Sequence, residues 1–124
     1  VEYGRGAIRE SLPGKGRYDL ISPIAEDALA KLLEKGAIKY TVTDPETGVV
    51  TDGARNWEKG LPLHTFVDSG MRHLRQLMMA EDESEEDHAV AALWNMMALV
   101  HTREMIRRGK LPAELDDLGR EAYQ

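Results

Sequence analysis

From residue 88 to about 108 the chain carries apolar side chains on almost every side of a helix. Ala89, Val90, Ala91, Ala92, Leu93, Trp94, Met96, Met97, Ala98, Leu99 and Val100 leave no wide polar face. Such a helix has to be covered from several directions. Its end is marked by Arg107-Arg108, then Gly109, then Pro112. Cations suit the negative end of the helix dipole, glycine takes the left-handed residue beyond it, and proline cannot continue the turn.

Two further helices are predicted. Ser22-Pro23 is a start signal, a capping hydroxyl followed by proline at the first helical position. Ile24, Ala25, Ala28, Leu29, Leu32 and Leu33 continue it as a stripe, giving a first helix over 23–40. Leu63, Phe66, Val67, Gly70, Met71, Leu74, Leu77 and Met78 give a second over 63–80. Between them the period changes: Thr41-Val42-Thr43 and Val49-Val50-Thr51 flank Asp44-Pro45-Glu46-Thr47-Gly48, which predicts a small hairpin over 41–53. Residues 1–21 read as a basic, glycine-rich arm and 113–124 as a tail with one short helix at most.

At 124 residues the chain is long enough for one domain, 1–124, and too short for two. Only 6% of its residues are aromatic, which fits a helical core of Leu, Ala and Met. The expected fold is all-α, a bundle of three main helices with a hairpin insert. Three helices in one monomer would leave a face of the third wet, so the expected completion is a homo-oligomer. A net charge of −6 argues against stable nucleic-acid binding. No apolar run approaches a membrane span, and no signal peptide is visible. With no cysteine, disulfides and thiol catalysis are excluded.

Four constellations can carry chemistry. Residues 81–87 place six carboxylates among seven residues, broken by Ser84. Hard divalent cations want oxygen ligands, which makes Glu81, Glu86 and Asp87 candidate metal ligands. The competing explanation is a capping box from Ser84 to Asp87 on a solvated turn. His88, Ala91, Ala92 and Asn95 share a helical face, and the alanines leave an opening between the polar groups. Tight helix packing with both polar side chains hydrogen-bonded explains the same pattern. Beside Mg²⁺, His88 would stand in the outer shell or face phosphate, because imidazole suits softer metals. On the second helix His73 points nearer the interior than Arg72, which can pair with Asp68 one turn away. The loop Arg55-Asn56-Trp57-Glu58-Lys59 offers a guanidinium fork for phosphate and an indole to stack a base. Lys39, Lys15 and Arg17 can add charge; for an isolated tryptophan such as Trp57 the safer reading is a lid over the seam of helices 1 and 2. No serine elbow, Walker loop or H-E-x-x-H motif is present.

Five blocks in order carry a resemblance: Gly14-Lys15-Gly16-Arg17-Tyr18-Asp19-Leu20-Ile21; Gly36-Ala37-Ile38-Lys39-Tyr40; Arg55-Asn56-Trp57-Glu58-Lys59-Gly60; Met71-Arg72-His73-Leu74; and Glu86-Asp87-His88 with Trp94-Asn95. From about residue 4 to 118 the chain resembles a phage family of dATP/dGTP diphosphohydrolase-like proteins. That family is grouped with the MazG-like all-α nucleoside triphosphate pyrophosphatases. The resemblance implies a MazG-like helical dimer or tetramer in the cytoplasm of a bacterial host, phage- or prophage-encoded. It also implies a purine nucleotide ligand, Mg²⁺ (or Mn²⁺) on carboxylates, and cleavage to monophosphate and pyrophosphate. Carried onto these residues, Asp87, His88, Asn95 and His73 become catalytic candidates. Arg55, Asn56, Trp57, Lys59, Lys39, Arg17, Lys15 and Arg72 become substrate-binding candidates.

Two departures stand out. The Glu-Glu-x-x-Glu and Glu-x-x-Asp pattern of MazG-like enzymes is missing, and His88 and Asn95 stand where carboxylates are expected. The hairpin 41–53 lengthens a link that is short in the family. An enzyme, a non-catalytic nucleotide-binding protein and a helical accessory protein therefore all stay open.

Overall fold

The computed structural model describes residues 4–10, 13–81 and 86–119. It is mostly helical, with helices α1 (Pro23–Tyr40), α2 (Leu63–Met78) and α3 (His88–Arg107). A two-stranded antiparallel hairpin lies between α1 and α2, with β1 (Val42–Thr43) and β2 (Val50–Thr51) paired Val42 to Thr51 and Thr43 to Val50. Short 3-10 turns occupy Tyr18–Leu20, Asn56–Lys59 and Ala113–Leu115.

Local chemistry sets the ends of these elements. The Ser22 hydroxyl accepts the Ala25 amide at 3.2 Å, with Pro23 in the first turn of α1. In the hairpin turn Asp44 Oδ1 accepts the amides of Glu46 and Thr47, which hold its carboxyl below the ordinary aspartate range. α2 stops at Met78, two residues before the predicted end, because Ala80 turns into the left-handed region at φ 51°. Asp87 itself is the N-cap of α3, its Oδ1 accepting the amides of Ala89 and Val90. That corrects the capping-box expectation, which put the cap at Ser84, a position outside the described residues.

α2 and α3 pack antiparallel and build the core from Leu63, Phe66, Ala98 and Leu99. Trp57, Val67, Trp94 and Ile106 close around it. α1 rests mainly against α3 and buries none of its residues completely. Its stripe forms the helix, but Ile24 remains 85% exposed. On α3 Leu93, Met96 and Val100 stay open, the wet face that the all-round apolar pattern demands in a single copy. No helix among the described residues is long and apolar enough to cross a membrane.

The tail supplies what the start of α2 lacks. Pro62 has no side chain to cap that helix, and Asp117 does so from 53 residues away, accepting the His64 amide at 2.9 Å. Its second oxygen meets His64 Nδ1. The backbone bond, followed by the interactions with the imidazole, holds the Asp117 carboxyl below its ordinary value. A carboxylate with a depressed folded pKa stabilises the fold above its unfolded pKa, and the gain disappears as pH falls through the folded value. Asp117→Asn should therefore lower the melting temperature at neutral pH, with the gap to wild type closing under acid. A gap independent of pH would show that the charge contributes nothing.

Candidate functional site

A cavity of about 550 Å³ opens where α1, the loop after the hairpin and the α2–α3 pair meet. α1 contributes Lys35, Gly36, Lys39 and Tyr40, with Leu32 and Leu33 as an apolar floor. Gly53, Ala54, Asn56 and Trp57 come from the loop, Ser69 and His73 from α2, and Ala91, Trp94 and Asn95 from α3. Glu86, just before α3, completes the wall. That size is within the roughly 300–1,000 Å³ of small-molecule sites.

The loop is held in place by a glycine. The Gly53 amide donates to Thr41 Oγ1 at 3.0 Å, where the hairpin returns to the end of α1. A Cβ on Gly53 would lie 2.1 Å from the carbonyl carbon of Tyr40. The next turn, Asn56–Lys59, places the Trp57 ring edge-on to Trp94 at 6.2 Å and to His101 at 5.0 Å. Trp57 thus leans on α3. It also lines the cavity together with residues of α1 and α2.

Ala91 and the buried Asn95 line the cavity together, whereas Ala92 of the same stripe is buried outside the lining. The Asn95 amide nitrogen donates to Ala91 O at 2.8 Å and to Ser69 Oγ at 3.3 Å, tying α3 to α2. His73 sits beside it with its side chain 13% exposed. His73 Nε2 lies 3.6 Å from Glu86 Oε1, and its Nδ1 lies 3.1 Å from His88 Nδ1. His88 is behind His73, 4% exposed.

Of the substrate-binding candidates, Lys39, Asn56 and Trp57 line the cavity. The arginines are engaged with nearby acids on the surface: Arg55 with Glu58, Arg72 with Asp68, and Arg17 with Asp19. The last pair holds Asp19 below its ordinary carboxyl value. Lys15 and Lys59 are exposed and outside the lining. Lys35 and Ser69 were not singled out from the sequence, although Lys35 stands one helical turn before Lys39 on the same face.

The three proposed metal carboxylates are not gathered. Asp87 caps α3, and Glu81 is exposed beyond the end of α2, its amide bonded to Gln76 O. Glu86 alone of the three lines the cavity. Among the described residues the cluster offering three ligand atoms within 4.8 Å of one another is His73, Glu86 and His88. Mg²⁺ prefers an all-oxygen shell. Among the described residues, that donor set is not the all-carboxylate one that the resemblance implied for Mg²⁺.

The geometry defines a small helical protein with a half-open cavity, cationic and aromatic on one side and bearing a histidine–carboxylate pair on another. The chain belongs to the dATP/dGTP diphosphohydrolase N-terminal family, whose sequence model matches residues 6–110. That span includes every residue lining the cavity. No curated protein and no solved structure matches the chain.

Proposed function

We propose that the chain hydrolyses a purine deoxynucleoside triphosphate to the monophosphate and pyrophosphate, with the nucleotide seated in this cavity. The observation that carries the reading is the grouping of Lys35, Lys39, Trp57 and the His73–Glu86 pair around one space of nucleotide size. The Trp57 face stacks the base, and the amide of Asn56 reaches its edge. Lys35 and Lys39 neutralise the polyphosphate. Water attacks the α-phosphorus and its proton passes to the Glu86–His73 pair. The bond to the bridging oxygen breaks, and pyrophosphate leaves with the electron pair while the lysines offset its charge. The scheme needs no covalent intermediate, in keeping with the missing nucleophile motifs.

One observation favours a second reading. Glu86 is the one carboxylate among the described residues that line the cavity, and a pocket with one acid can hold a nucleotide, or a nucleotide-derived signal, without cutting it. Incubating the protein with each of the four dNTPs and a divalent cation separates the two readings. Monophosphate and pyrophosphate from dATP or dGTP support the hydrolase; tight binding with every nucleotide intact supports the sequestering protein.

Changing both Lys35 and Lys39 to alanine should weaken triphosphate binding at least about 100-fold, since hydrogen bonds to charged groups are each worth about 1.5–3 kcal/mol. The effect should shrink sharply for the nucleoside. Equal losses for nucleoside and triphosphate would move the phosphates elsewhere.

We also infer that a second copy covers the exposed apolar face of Leu74, Leu77, Leu93, Met96 and Val100, giving a homodimer or homotetramer. Light scattering should return at least twice the chain mass of 13.9 kDa. A monomer at tens of micromolar, on the order of ordinary assay concentrations, would contradict it.

A further inference from the structure

We propose that His73, Glu86 and His88 form a binding site for a borderline first-row transition cation of the Zn²⁺ class. The inference rests on and deepens the proposed function, because His73 and Glu86 also line the nucleotide cavity; with the cation bound, the Glu86 oxygen left free, rather than His73, would take the proton of the attacking water. Three observations support it. First, the donor set is two imidazole nitrogens and one carboxylate oxygen, with the ligand atoms within 4.8 Å of one another. Imidazole suits zinc and its neighbours, and two histidines with one glutamate leave an open position for water or substrate. Second, the Nδ1 atoms of His73 and His88 face each other at 3.1 Å. Two nitrogens bound to one cation at about 2.0–2.1 Å stand roughly 3.0–3.4 Å apart. The rings, tilted 34° to one another, are therefore already spaced as a ligand pair.

Third, the cluster is an incomplete hydrogen-bond network. A contact between two imidazole nitrogens uses at most one N–H, and His88 Nε2 is buried without a hydrogen-bond partner among the described residues. No choice of tautomer satisfies both rings. Native proteins seldom keep such a group without a purpose. Here two half-used imidazoles lie side by side, the arrangement a shared cation converts into two dative bonds. His73 and His88 are fixed by the α2–α3 packing, whereas the Glu86 side chain is 49% exposed and free to swing the short distance that closure needs. A cation held there would border the cavity through His73 and Glu86.

The test is calorimetry of the whole, nucleotide-free protein with Zn²⁺, alongside Co²⁺ titration followed by visible absorption. One Zn²⁺ per chain is expected, with affinity at least about a thousandfold above that for Mg²⁺, as the N,N,O donors demand. Bound Co²⁺ should give the intense bands of a four- or five-coordinate site. His73→Ala and Glu86→Gln, neither of which touches the apolar core, should each weaken Zn²⁺ at least about 10-fold. Glu81→Gln and Asp87→Asn should leave it within about twofold, since neither residue belongs to the cluster. Zinc affinity unchanged in His73→Ala, or Mg²⁺ displacing Co²⁺ at comparable concentration, overturns the proposal. Because no nucleotide is present, a bound zinc with no dNTP turnover would sink the hydrolase and leave the metal site standing; turnover with no zinc site would do the reverse.

Discussion

Gly53→Ala is expected to destabilise the protein by about 3 kcal/mol, or roughly 10 °C in melting temperature for a domain of this size. The new Cβ would meet the Tyr40 carbonyl carbon at 2.1 Å, its oxygen at 2.2 Å and the Thr41 nitrogen at 2.5 Å. All three are backbone atoms, so no rotamer change relieves the overlap. Separating the strands would also break the bond from the Gly53 amide to Thr41 Oγ1. The loop carrying Asn56 and Trp57 would then leave α1, and nucleotide affinity should fall with stability. Gly36→Ala is the contrast: it is in a helix interior with nothing within 4 Å of the added methyl, and should stabilise by up to about 1 kcal/mol. A Gly53→Ala protein that melts with the wild type would show that the hairpin base does not fix the loop.

Trp57→Ala should cost about 3 kcal/mol and, independently, raise the nucleotide dissociation constant 10- to 100-fold, roughly the worth of one stacked base. The stability loss comes from edge contacts to Trp94 and His101 and from the core that Trp57 helps to close. The binding loss comes from the part of the ring that lines the cavity. Trp57→Phe should recover much of both, since a phenyl ring keeps an edge and a face. Chemical denaturation and nucleotide titration of the two variants separate the effects. A Trp57→Ala protein that is less stable but binds dATP as before would leave the indole a purely structural role.

Helices and hairpin were legible because their signals are local. Ser22-Pro23 and Gly109 mark ends through their own backbone preferences, and α1 begins and α3 ends within a residue of the predicted places. The end of α2 was misplaced because nothing in an alanine announces the left-handed turn at Ala80. The arginines were partly legible: each stands within four residues of an acid, and that local pairing occupies them. What needed the fold was whatever joins distant segments. His73 meets His88 only once α2 and α3 run antiparallel, and Asp117 reaches His64 only because the tail packs over Gly60 through Leu111 and Leu115. The acidic turn drew attention by its charge density, yet of its described members only Glu86 faces the cavity.

Trp57 and Trp94 are the two tryptophans of the chain, and both line the cavity. Intrinsic fluorescence therefore reports on the proposed nucleotide site without any label. The decisive titration uses dATP and dGTP analogues with a methylene between the α- and β-phosphates, which cannot be cut at the proposed bond. Saturable quenching by these analogues, weakened when Lys35 and Lys39 are both changed to alanine, is the predicted result. Emission unchanged at millimolar analogue, a concentration well above roughly the upper end of ordinary enzyme KM values, would place the nucleotide elsewhere and contradict the account.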